Sequence, residues 1–420
     1  MIGHRRTVGL LSLALLPACA GHLPPCPAAG GPAWTELESA HFRLRTDEDA
    51  TAGRAAITDL EQFQAALLTA IGAPPDLDTG KVPVVIVEGG WTDFAPRQLR
   101  GFFTTALFQP LIVMIAGSEV RRQDTIKHEL VHYLSNKIMP HQLPWLAEGL
   151  ATYYETIEYD AHVGLITVGR PSPGRLRWAQ RASAATLERL FTATAIDGGD
   201  EDIARFYAAA WITVHYLMNH RQEALLAYEK ALRTRASPEA AWTAAFGAQT
   251  PAQLAGDVRR YIDRGRYAML TYRFPGLQLA TPVERRLTDP DTHATRALLY
   301  LIGDRMRGFA RAGSADGGDP KQHAQRELDE ALRQEPTHVR SRAIARFMLG
   351  TPVDVEQAIA GSRTHGDDWI AWMLLAEARQ AQDDGAGIRE AIGRMLEIAR
   401  ADRSIELTVE WRTRPAGPSP

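Results

Sequence analysis

The sequence predicts an α+β amino-terminal half followed by an all-α carboxy-terminal half. Three observations carry that expectation. Apolar or alternating runs at His41–Arg45, Val82–Val87 and Leu111–Ile115 read as strands, and helical periodicity separates them. From Ala204 onward the pattern is helical. In the last third, Pro336, Asp368 and Asp402 close or open helices at intervals of 32 and 34 residues, near the 34-residue period of helix-pair repeats.

Each element has its own local reason. His4-Arg5-Arg6 and the short apolar run from Val8 to Leu16 have the form of a secretory leader, expected over 1–18. Ala20 to Ala33 is rich in Pro, Gly and Ala and reads as a tether, expected over 19–33. Ile57, Leu60, Phe63 and Leu67 mark an amphipathic helix between Ala50 and Ile71. Pro83 places Val82–Val87 at a strand beginning or a sheet edge, because proline cannot donate to a ladder. Ile126, Leu130 and Leu134 give the next helix an apolar face, with Asp124 as its expected N-cap. Ser237-Pro238 and Thr250-Pro251-Ala252-Gln253 read as helix starts, the second as a capping box, and Gly247 and Gly265 as stops. The polar, proline-containing stretch Thr281–Asp291 marks an expected boundary. The resulting units are 34–275 and 290–405, with a disordered tail over 406–420.

Composition narrows the function. With 45% hydrophobic and 23% charged residues the chain is ordinarily globular, and a net charge of −3 gives no argument for nucleic acid. Beyond the amino terminus no run approaches the roughly 18 apolar residues of a membrane span. Cys19 and Cys26 are the two cysteines. If Cys19 carries lipid, Cys26 is a leftover thiol; the alternative is a disulfide between them.

Chemistry concentrates in His128-Glu129-Leu130-Val131-His132, an H-E-x-x-H sequence in a chain with only 13 histidines. Residues four apart share a helix face, so His128 and His132 can point both imidazoles at one ion. Glu129 is turned about 100° away and reaches a water beside that ion. Beyond His132, Pro144-Trp145-Leu146-Ala147-Glu148-Gly149-Leu150-Ala151 opens a further helix that offers Glu148, separated from His132 by fifteen residues, as a third ligand. Two His and one Glu suit zinc and leave its fourth position for water. Trp145 and Trp211 read as core, and His141 and His162 as solvated loop histidines.

With both segments in view, the chain resembles the gluzincin zinc metallopeptidases, most nearly bacterial proteins of the peptidase MA-like group. Their pattern reads H-E-L-x-H-x-L and then P-x-W-L-x-E-G-x-A, matched by His128–Leu134 and Pro144–Ala151. The resemblance extends more loosely from about Phe42 to Ile262. It implies a zincin-like domain over 34–275 that hydrolyses peptide bonds. It also implies one Zn²⁺ per chain on His128, His132 and Glu148, with Glu129 as general base. An oxyanion donor from a later helix is also expected, and Tyr207 matches the family's aromatic there, with His215 as the alternative. Many gluzincins carry an acidic residue four positions after the ligand Glu to orient a ligand histidine. Here that position is Thr152, so either its hydroxyl or Glu155, on the same face, takes the role. The G-x-M-E-N segment of the aminopeptidase relatives is missing, so the resemblance lends exopeptidase action no support.

Two further resemblances concern location and partners. Leu16-Pro17-Ala18-Cys19 is similar to a bacterial lipobox, although Pro17 is unusual there. It implies cleavage before Cys19, lipid on Cys19 and, with Ala20 following, an outer-membrane anchor facing the periplasm or exterior. Ala331–Pro336 and Trp369–Ala376 resemble pieces of tetratricopeptide repeats, a fold that binds a peptide or protein partner along a concave face. The expected activity is therefore that of a lipid-anchored metallopeptidase acting on a peptide or protein. The rival expectation is a catalytically weak or inactive peptidase-like lipoprotein that scaffolds an envelope complex.

Overall fold

A computed structural model describes residues 26–401, apart from 74–78, 89–100, 116–118, 140–141, 161, 275–276 and 311–318. Cys19, His141, the leader and the tail lie outside the described residues. In chain order the elements are β1 (Thr35–Glu38), β2 (Phe42–Thr46), α1 (Ala50–Ala70), β3 (Val82–Val87), β4 (Gly101–Ala106) and β5 (Gln109–Ile115). Helices α2 (Glu119–Ile138) and α3 (Pro144–Tyr154) follow, then β6 (Glu158–Asp160) and β7 (Leu165–Val168). Next come α4 (Pro173–Arg181), α5 (Ala184–Leu190), α6 (Asp200–His220), α7 (Gln222–Arg233), α8 (Pro238–Phe246) and α9 (Pro251–Arg264). Strands β8 (Leu270–Arg273) and β9 (Val283–Arg286) precede α10 (Asp289–Ala310), α11 (Pro320–Gln334), α12 (Val339–Leu349), α13 (Val355–Thr364), α14 (Trp369–Ala381) and α15 (Gly385–Ala401). The fold is mixed α+β, with a helical carboxy-terminal region.

One six-stranded sheet runs in the order β4-β5-β3-β2-β1-β9. Pairs β2–β3 and β3–β5 are parallel and the other pairs antiparallel. The central strands are apolar on both faces. Val84, Ile86, Ile112 and Met114 join a core with α1, α2 and α3. Their neighbours Val85, Val87, Leu111, Val113 and Ile115 join a second core with α10, α12 and α14. Each strand therefore reads as a continuous apolar run, as expected where both faces are covered. Pro83 sits at the second position of β3, an interior strand, so the beginning of the strand rather than an edge accommodates it.

Three boundaries differ from expectation. Asp124 lies inside α2, which begins at Glu119, so it is not the N-cap. Thr281–Asp291 is not a free linker: Val283–Arg286 forms β9 and completes the sheet beside β1. Charge holds it there. Glu36 on β1 is in register with Arg45 on one side and Arg285 on the other, with contacts of 2.7 and 2.8 Å. Residues 26–33, expected to be part of a tether, are held by the fold. Cys26 is buried, Ala28 N–H donates to Asp289, and Trp34 is fixed in the second core.

Elsewhere local signals and structure agree. Asp49 caps α1 through Thr51 and Ala52 N–H, Ser237 caps α8, and Thr250 and Gln253 form the box that opens α9. Asp368 caps α14. No helix among the described residues is long and apolar enough to cross a membrane.

Candidate metal centre

Helix α2 places His128 and His132 one turn apart, and α3 carries Glu148 against them. Three side-chain atoms converge. His128 Nε2 is 3.0 Å from His132 Nε2, and Glu148 Oε2 is 3.2 Å from the first and 3.4 Å from the second. Ligands about 2.1 Å from a tetrahedral zinc lie about 3.4 Å from one another, so the triangle has the size of one zinc face. Glu148 Oε2 is buried and faces the two imidazole nitrogens without a hydrogen bond of good geometry, an arrangement that a cation among the three would satisfy. The residues present fit the ion.

The next layer fixes the ring orientation. Glu155 Oε2 is 2.8 Å from His128 Nδ1, which turns Nε2 toward the triangle. Arg175 on α4 donates from Nε and Nη2 to the other oxygen, at 3.0 and 2.6 Å. Thr152 does not share this role. Its hydroxyl is buried and donates to the carbonyls of Glu148 and Gly149, so it caps its own helix turn instead.

Glu129 lies on the strand side of α2. Phe103 N–H on β4 donates to Glu129 Oε2 at 2.8 Å. Gly101 allows the approach, since a Cβ there would meet Met114 Sδ at 2.3 Å and Thr125 Cγ2 at 3.0 Å. Burial pushes the Glu129 carboxyl above its ordinary range, a rise that His128 and His132 partly offset. Burial also disfavours a charged His128, but the carboxylates of Glu148 and Glu155 outweigh it and hold the ring up to about 10. For Glu148 burial is again outweighed, and the two imidazoles hold it down to about 2. A bound cation replaces the imidazole protons in this balance.

Tyr207 reaches the same place from α6. Its ring stacks on His128 at 6.0 Å between centroids and 22° between planes, and Arg175 lies 6.0 Å from the Tyr207 centroid. Its hydroxyl is held far above the ordinary tyrosine range by burial and by Glu148 and Glu129, so it stays a donor. Gly149 sets the approach of α6 to α3: a Cβ there would meet Val214 Cγ2 at 2.5 Å and Ala210 O at 2.8 Å. His215, the alternative donor, is remote. It is fully buried, bonded to Gly169 O at 3.0 Å and Tyr261 Oη at 2.8 Å, and held down to about 4 by burial. Trp145 and Trp211 are core, and His162 is exposed on the β6–β7 hairpin.

Two parts of the site were not read from sequence. Arg175 gives no signal, being one of three arginines in a short helix. Strand β4, whose Phe103 N–H meets Glu129, is the strand at the sheet's end, whereas Leu111–Ile115 is interior. A cavity of about 790 Å³ lies between α1 and the β6–β7 hairpin, and His128, His132 and Glu148 do not line it.

Residues 123–238 match a protein family described as a protein of unknown function (DUF1570). The matched stretch contains His128, Glu129, His132, Glu148, Glu155, Arg175 and Tyr207. No curated protein matches the chain.

Proposed function

We propose that this chain is a zinc-dependent metallopeptidase of the gluzincin type, its zincin-like part built on the six-stranded sheet. The observation that carries the reading is the triangle of His128 Nε2, His132 Nε2 and Glu148 Oε2, with a general base on the residue next to its first ligand. Zinc held by these three would polarise a scissile carbonyl and lower the pKa of water from about 15.7 towards about 7. Glu129 accepts the proton of the attacking water and returns it to the leaving amine. Its raised pKa suits both steps. Tyr207 donates to the oxyanion as the carbonyl becomes tetrahedral. Glu155, held by Arg175, keeps His128 in the tautomer that binds metal. An extended substrate pairs along β4, whose Phe103 N–H touches Glu129.

The same reading places the protein on the outer membrane through lipid on Cys19. Helices α10–α15 form tetratricopeptide-like pairs that offer a partner surface. The catalytic part is tested by replacing Glu129 with Gln and measuring zinc content and turnover of a peptide library. Zinc at the triangle stays, and hydrolysis falls by at least about 10²-fold. Wild-type turnover in that variant removes Glu129 from the role of base.

A further inference from the structure

A second group of ligand-type side chains lies outside this site. Cys26 Sγ is 3.3 Å from His293 Nδ1, and Glu327 Oε2 is 2.5 Å from the same nitrogen. The three come from distant parts of the chain: the segment before β1, the second turn of α10, and α11. Cys26 is 5% exposed, and the atoms of all three ligands lie within 4.8 Å of one another.

The geometry excludes the obvious alternative, a Cys–His–Glu nucleophilic relay. A relay needs thiol and carboxylate on opposite ring nitrogens, so that one proton passes through the imidazole. Here both approach Nδ1. That nitrogen holds at most one proton, and it serves the carboxylate at the shorter distance. The buried thiol faces the same nitrogen at 3.3 Å. Sulfur, nitrogen and oxygen thus converge on one point, as nitrogen, nitrogen and oxygen do at the first triangle.

We propose that Cys26 Sγ, His293 Nδ1 and Glu327 Oε2 form a second site, for a divalent cation of the zinc type, that pins the segment at Cys26 to the α10–α11 pair. The donor set is right for such an ion, which takes thiolate, imidazole and carboxylate together. The sulfur–nitrogen separation is already near the roughly 3.5 Å of two zinc ligands, while the Nδ1–Oε2 pair opens by about 0.9 Å to admit the ion. Arg296 donates from Nε and Nη2 to Glu327 Oε1, at 2.8 and 2.6 Å, which steadies the carboxylate and leaves Oε2 for the metal. Burial, with Glu327, Asp289 and Glu330 nearby, pushes the Cys26 thiol up to about 12 against the pull of Arg296, and a bound cation would work against that rise. Asp289 also accepts from Ala28 N–H, so the segment is held on both sides of the proposed ion.

The test uses the full chain loaded with Co²⁺, followed by elemental analysis of the zinc form. Thiolate bound to cobalt gives a near-ultraviolet charge-transfer band that a His–His–Glu site cannot give. The band is expected in wild type, in Cys19→Ser and in His128→Ala, and lost in Cys26→Ser and His293→Ala. Zinc falls by one equivalent per chain in Cys26→Ser. Zinc retained at the first triangle in that variant shows that the fold survives; should it not survive, His293→Ala carries the same test. Absence of the band in wild type, its persistence in Cys26→Ser or His293→Ala, or unchanged zinc in Cys26→Ser overturns the proposal. Failure of the first site leaves the band intact and removes only the zinc that His128→Ala would remove.

Discussion

Glu155 Oε2 lies 2.8 Å from His128 Nδ1, and Arg175 grips the other oxygen of the same carboxylate. This pairing favours Glu155 over Thr152 as the residue that orients His128 on the proposed reading. Glu155→Gln is therefore expected to weaken zinc binding about 10- to 100-fold, the usual size of such effects. Thr152→Val leaves affinity unchanged, because the hydroxyl serves only the backbone of its own helix. Competition against a chelator of known affinity measures both. Equal losses in the two variants would return the role to position 152.

Tyr207 is placed by its stacking on His128 and by the Gly149 contact that draws α6 close. Tyr207→Phe keeps the ring and deletes the donor. The catalytic rate is expected to fall about 10²- to 10³-fold, with zinc content and melting temperature unchanged. A variant that melts early but turns over normally once folded would mark the residue as packing alone.

Much of this was legible in sequence, and what was missed has physical causes. Spacing alone placed His128 and His132 on one helix face and Glu148 on the next helix, because helix periodicity is local. Strands β3 and β5 announced themselves as apolar runs buried on both faces. Strand β1 contains a single large apolar residue, Leu37, and β9 is exposed along its whole length. Both pair through backbone ladders, and Glu36 binds Arg45 and Arg285 across them, a relation between residues up to 249 positions apart. The contacts of Arg175 with Glu155 and of Cys26 with His293 were not legible for the same reason: only the tertiary fold brings those partners together.

That ladder predicts a pH dependence. Burial disfavours the Glu36 carboxylate, but Arg45 and Arg285 outweigh it and hold its pKa down to about 2, against 4.5 as a reference for the unfolded chain. A depressed folded pKa means stability that is complete above the unfolded value and lost as pH falls from about 4.5 through about 2. The contribution is on the order of 3 kcal/mol, from 1.36 kcal/mol per pKa unit. Denaturant midpoints at pH 6 and pH 3 should fall further apart in wild type than in Glu36→Gln. Equal pH sensitivity in the two proteins would contradict the ladder.

The anchor is tested at Cys19. Cys19→Ser is expected to release the protein from membranes, because no helix among the described residues is long and apolar enough to span one. Mass spectrometry of the mature amino terminus checks the same point. An unmodified terminus at any other residue would exclude lipid at Cys19.

The six-stranded sheet, with helices on both faces, ties the two halves of the chain to a common fate. A fragment stopping near residue 280 keeps all three candidate ligands and Glu129. It loses β9 and strips the cover from Val85, Val87, Leu111, Val113 and Ile115. During synthesis, then, the residues of the metal triangle emerge well before the helices that shield the back of their own sheet. The amino-terminal half must wait, half-clothed and prone to self-association, until the last third of the chain arrives.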